Sequence, residues 1–203
     1  MTSTVFWNRS TPQERPVQAG SAGHVPGEPG FWVIIFGDLS AFTLFFALYL
    51  GQRAHDHDIF VAGERKLAVG YGAVMTLLLL ASSLLVVRGV QGVREKRGGA
   101  RVFAGAQVCA AAFVSLKAVE WYSHVSSGDS LGSDGFWSWY FVLTGLHLLH
   151  VLLGMALLGY MQWESLRPQE APSRMNYIEC SALFWHMVDL LWVLIFPLLY
   201  FMR

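Results

Sequence analysis

Residues 136–161 read FWSWYFVLTGLHLLHVLLGMALLGYM, and not one of them is Asp, Glu, Lys or Arg. A helix of about 20 mostly apolar residues crosses the roughly 30 Å of hydrocarbon in a bilayer. The run is continuous rather than alternating in hydrophobicity, which is the patterning of a helix and not of a barrel strand. Lipid offers the backbone no hydrogen-bond partner, so only helices and closed barrels span it. Four more runs of this kind flank the first. They are Phe31–Leu50, interrupted by Asp38; about Val69–Val87, uncharged; about Val102–Tyr122, with Lys117 and Glu120 near its end; and about Ile178–Met202, containing Glu179, His186 and Asp189. The expected fold is all-α: a polytopic membrane protein built as a bundle of five transmembrane helices.

The rest of the chain agrees. Of 203 residues, 54% are hydrophobic and 14% charged, against about 25% charged in soluble proteins. So little charge cannot coat a soluble sphere, which excludes an ordinary cytosolic enzyme and a disordered chain. Fourteen Lys/Arg balance fourteen Asp/Glu, so there is no electrostatic case for nucleic acid. Cys109 and Cys180 are too few for a disulfide framework and read as packing residues. Residues 1–30 hold Pro12, Pro16, Pro26 and Pro29 among Gly and polar residues; they read as a flexible tail, and 31–203 as one membrane domain. The run from Phe31 is too long for the apolar core of a signal peptide. Nine Lys/Arg fall on the side of the tail and the second and fourth loops, and four on the other side. That bias predicts a cytoplasmic N-terminus.

Ionisable groups inside these runs are costly in hydrocarbon, so each is a candidate site. Asp38 reads either as a proton-linked or lipid-contacting carboxyl, or as a neutral acid bonded to a neighbouring helix. Lys117 and Glu120 are three apart and share a helix face, which suits a structural pair. Lys117 could instead snorkel to water. His147 and His150 are three apart, as are His186 and Asp189, with Glu179 two turns before His186. They read as a polar seam between the fourth and fifth spans, or as a metal or haem site with His186 opposite His147 or His150. His55-Asp56-His57-Asp58 reads as a solvated loop or a weak divalent-metal site. Trp121, Trp137, Trp163 and Tyr177 lie near span ends, as an aromatic belt does, and Gly145 and Gly154 permit close helix approach. A proton-coupled transporter using Asp38 is disfavoured, because no inverted repeat is visible. No nucleophile–base arrangement, phosphate loop or open metal site appears, so no catalytic residue and no metal ligand is assigned.

Several of these residues carry a resemblance. Residues 177–192, from Tyr177-Ile178-Glu179 through Trp185-His186-Met187-Val188-Asp189 to Trp192, resemble the last helix of the cytochrome c oxidase subunit III family. That helix has an acid followed by Trp-His-x-Val-Asp-x-x-Trp. Thr144-Gly145-Leu146-His147-Leu148-Leu149-His150-Val151 with Gly154 is similar to the family's Thr-Gly-x-His-x-x-His-Val-x-x-Gly stretch. Glu120-Trp121-Tyr122 resembles its Glu-Tyr or Glu-Trp ending, and Trp32 through Asp38 to Tyr49 resembles the helix carrying its buried acid, with aspartate where the oxidase pattern usually has glutamate. The resemblance covers residues 28–203 and implies the short, five-helix form. It implies a non-catalytic subunit of a respiratory haem-copper oxidase in the bacterial inner membrane. Haem and copper would then belong to the catalytic subunit I, with subunit II beside it and none of either on this chain. It also implies bound phospholipid, support of proton uptake through Asp38, and Glu120, His147, His150, Glu179, His186 and Asp189 as a structural seam. A related branch accompanies nitric oxide reductases and stays open as an alternative, as does a small b-haem electron carrier.

Overall fold

The computed structural model describes residues 29–167 and 172–202. The tail expected over residues 1–30 lies outside the described residues up to residue 28; Pro29 and Gly30 open the first helix. Six helices follow: α1 (Pro29–His55), α2 (His57–Lys66), α3 (Val69–Arg94), α4 (Ala100–Ser126), α5 (Gly135–Glu164) and α6 (Pro172–Tyr200). All but α2 are long and apolar enough to cross a membrane, and no strand occurs among the described residues. The short α2 was not anticipated; it fills the loop after the first span.

Local chemistry explains the breaks. Pro29 suits the first position of α1, where a missing N–H costs nothing. The Asp134 side chain caps α5 by accepting from the Trp137 backbone N–H at 2.9 Å. Between α3 and α4 the chain reverses through Lys96 and Gly98, with φ of 56° and 81°. Gly98 adopts that left-handed conformation without the steric cost a Cβ would bring.

Helices α3, α4, α5 and α6 form a closed ring in which each packs on the next and α6 returns to α3. Helix α1 lies outside this ring against α5 and α6, and α2 lies across one end. Over their most apolar windows α6 is 56% buried and α1 only 17%, so α6 is the central helix and α1 a peripheral one. Small residues set the spacing. A Cβ on Gly154 would stand 2.7 Å from the Trp185 ring, and one on Gly72 would stand 2.6 Å from Phe196. Those glycines let α6 close on α5 and α3. Without a hydrophobic drive between helices in lipid, such close packing is a main source of cohesion. Large apolar side chains such as Val33, Leu77, Val108 and Leu149 point outward, where a bilayer rather than water suits them.

Candidate functional site

Most of the polar side chains singled out in the sequence gather in three groups inside the bundle. The first joins α1 to α5. Asp38 Oδ2 lies 3.7 Å from His150 Nε2. His150 Nδ1 is 2.7 Å from the Leu146 carbonyl oxygen. A carbonyl can only accept, so Nδ1 carries the proton and Nε2 is the nitrogen turned to Asp38. The separation is too long for a direct hydrogen bond, and the contact becomes an ion pair only when the ring carries a proton on both nitrogens. Phe42 and Phe184 flank the imidazole. The Asp38 side chain remains 31% exposed, so the pair is reachable from the α1 side of the bundle.

The second group closes one end of the ring. Lys117 Nζ donates to Glu120 Oε2 at 2.7 Å, to the Tyr140 hydroxyl at 3.1 Å and to the Tyr200 hydroxyl at 3.3 Å. The Tyr200 hydroxyl donates to Glu120 Oε1 at 2.7 Å. All three ammonium protons are thereby used, and α4, α5 and α6 are tied together. Lys117 is buried rather than snorkelling, with the Tyr140 and Trp192 rings around its charge. A cavity of about 250 Å³ between Lys66, Tyr71, Ser123 and His124 reaches Glu120 from that end of the molecule. Lys66 crosses its mouth to Asp129 at 2.7 Å.

The third group runs between α6 and α3. Arg94 donates to Glu179 Oε1 at 2.7 Å. His186 Nδ1 lies 2.7 Å from the Ser83 hydroxyl. Asp189 is buried next to that hydroxyl, without a full hydrogen bond to it. Trp192 Nε1 donates to Thr76 Oγ1 at 3.0 Å. A cavity of about 230 Å³ lies between the two helices from Arg94 to His186.

The expected seam between the fourth and fifth spans, α5 and α6, is therefore not how Glu179 and His186 are used. Both turn to α3. The reason is the fit of Trp185 into Gly154: that residue commits its own stripe of α6 to α5, and residues 179, 182, 183 and 186 then face α3. His147 and His150 share a helix face, yet they meet different neighbours. His150 meets Asp38 on α1, while His147 packs against Phe113 and Trp192. His147, His150 and His186 are turned toward different helices, so the expected opposition of His186 to His147 or His150 as axial ligands is not formed. No cluster of three or more His, Cys, Asp or Glu suited to a metal occurs among the described residues, and the His55–Asp58 segment is no exception. Among the described residues its ion pair is His57 with Asp58 at 3.7 Å, both exposed.

One network had no forecast. Glu64 of α2 is fully buried. It accepts from Arg53 at 2.8 and 3.2 Å and from the Tyr49 hydroxyl at 3.2 Å, and Arg53 also donates to the Met202 carbonyl. Helices α1, α2 and α6 are fastened there. The signal was present: Phe60, Gly63, Glu64 and Leu67 follow the i, i+3, i+4, i+7 rhythm of a buried helical stripe.

Comparison with known proteins agrees with this architecture. The family model for cytochrome c oxidase subunit III matches residues 73–203, which hold most of α3 and all of α4–α6. Among relatives, the cytochrome bo(3) ubiquinol oxidase subunit 3 of Pseudomonas putida is 29% identical over 181 residues, covering 84% of this chain and 83% of that protein. The quinol oxidase subunit 3 of Bacillus spizizenii is 29% identical over 201 residues, covering 96% and 94%. The cytochrome c oxidase subunit 3 of Corynebacterium diphtheriae is 27% identical over 178 residues, covering 86% and 87%.

Proposed function

Since the chain belongs to the cytochrome c oxidase subunit III family, we propose that it serves as a non-catalytic membrane subunit of a respiratory haem-copper oxidase. The observation that carries this reading is the family match across four spans that also form the closed ring of the fold. The relatives named above are all oxidase subunits, which favours an oxygen-reducing partner over a nitric oxide reductase. The partners are then a catalytic subunit holding haem and copper, and a subunit II. The chain sits in the bacterial inner membrane, and the charge bias of its loops supports a cytoplasmic N-terminus. On that orientation the Arg94 end of the bundle is cytoplasmic and the Glu120 end external.

Within this reading the ring of α3–α6 is a rigid support, and the polar groups lock its register. The Asp38–His150 pair is the candidate for proton handling. A carboxylate and an imidazole facing each other can hold a proton between them, and their partial exposure supports exchange with a partner or with bound phospholipid. Removal of this chain from cells tests the proposal. Membranes should keep the haem and copper of the oxidase but lose turnover progressively during catalysis. Loss of the haem signal itself, or turnover that holds as well without the chain, would contradict the role.

A further inference from the structure

Helices α3 and α6 are tied to each other at two levels. Arg94 donates to Glu179 at 2.7 Å near one end, and the Ser83 hydroxyl meets His186 Nδ1 at 2.7 Å deeper in the bundle. Seven residues separate Glu179 from His186, about 10 Å along α6 at about 1.5 Å per residue. Between the two ties the facing side chains are mostly short: Val87 and Val90 on α3, Ala182 with Leu183 on α6. The cavity of about 230 Å³ lies in that interval. Its walls are apolar and its two ends polar, with Gln91, Arg94 and Glu179 at one end and His186 at the other. Val87 is 40% exposed, so the cavity opens on the flank of the bundle that faces lipid.

We propose that this cavity binds the head group of a neutral quinone or hydroquinone, with the tail of the molecule in the bilayer. Its volume suits a single substituted ring, below the roughly 300–1,000 Å³ of sites for drug-sized ligands. The charge at its mouth is already matched, because Arg94 faces a Glu179 side chain that is only 7% exposed. A phosphate brought there would meet a buried carboxylate, which disfavours an anionic lipid head and leaves a neutral ligand unopposed. The polar groups stand at opposite ends of an apolar slot, as the two oxygens do on a quinone ring. Arg94 and Gln91 supply donors for one oxygen, and His186 serves the other. Its Nδ1 is committed to Ser83, so Nε2 is the nitrogen it offers a ligand. Ser83 has one hydroxyl proton and lies next to both Nδ1 and the buried Asp189. With that proton on the Nδ1 side, Nε2 carries the ring proton and donates to a quinone carbonyl. With it turned to Asp189, Nδ1 carries the ring proton and Nε2 accepts from a hydroquinone hydroxyl. Both forms are held without any electron passing to this chain. The site stands whether or not the chain serves an oxidase.

The test is photolabelling of the full chain in phosphatidylcholine bilayers with an azido-benzoquinone carrying a short alkyl tail, the labelled peptides being identified by mass spectrometry. Labelling should saturate, map to residues 87–94 and 182–186, and be displaced by the same quinone without its azide. His186→Leu removes the deep hydrogen bond and should weaken binding about fivefold, the factor that one net hydrogen bond of about 1 kcal/mol represents. His186→Gln keeps a donor and an acceptor and should recover most of that loss, which a merely structural role for the ring would not do. Val87→Trp, at an exposed wall position, fills the cavity without touching its polar ends and should abolish saturable labelling. Labelling that rises without saturation, that maps elsewhere, or that persists in Val87→Trp would overturn the proposal. So would displacement by phosphatidylglycerol added to the bilayer, which would assign the cavity to an anionic lipid head instead.

Discussion

Replacing Lys117 by methionine should unfasten one end of the bundle. The change leaves Glu120 buried with only the Tyr200 hydroxyl on its carboxylate. Removing one partner of a buried ion pair costs about 3–5 kcal/mol, because the other charge stays behind uncompensated. Replacing both charges by apolar residues of similar volume is often close to neutral. Thermal unfolding in mild detergent should therefore show a large loss for Lys117→Met and recovery of most of it in Lys117→Met/Glu120→Leu. Equal losses in the single and double variants would show that the pair matters for its volume and not its charge. The i, i+3 spacing made this pair readable in advance. Its tyrosine partners were not, because Tyr140 and Tyr200 come from two other helices and only packing brings them in.

At the level of elements, the same limit governed the rest of the polar residues. Periodicity tells which residues share a face, but not which helix that face meets. For α6 that choice is made by one glycine on α5. Gly154→Leu should push α5 and α6 apart, since even a Cβ there would collide with the Trp185 ring. Overpacking of this kind costs about 1–3 kcal/mol. Gly145 gives the contrast on the same helix, because its added Cβ would meet Trp121 at an ordinary 3.6 Å. Gly145→Ala should leave the unfolding temperature nearly unchanged while Gly154→Leu lowers it, and equal effects would contradict the assigned packing. The five spans were legible for a different reason. A continuous, mostly apolar run of this length, without strand-like alternation, is met in lipid by a helix. Helix α2 was missed because its ten residues mix charged and apolar side chains and fall far short of a span. The buried role of Glu64 was lost with it.

For the whole molecule, the exposed side chains at the two ends of the bundle give the orientation a direct test. The loop between α3 and α4 carries Arg97, whose side chain is 80% exposed. At the other end of the bundle Asp58 is fully exposed. In a background without Cys109 and Cys180, Asp58→Cys should react with a membrane-impermeant maleimide added to intact spheroplasts. Arg97→Cys should react only after the membrane is opened. The opposite pattern would invert the bundle and place the Glu120 end at the cytoplasmic face. The exposed apolar girdle and the buried Lys117–Glu120 cluster together describe a support that holds its shape in lipid. The account stands most directly on one isolation: the tagged chain drawn from its native membrane in mild detergent, with its companions identified by mass spectrometry and the absorption spectrum recorded. It predicts recovery of a haem-copper catalytic subunit, with the haem bands belonging to that subunit. Recovery of this chain alone, or of haem held by this chain after its companions are stripped away, would contradict it.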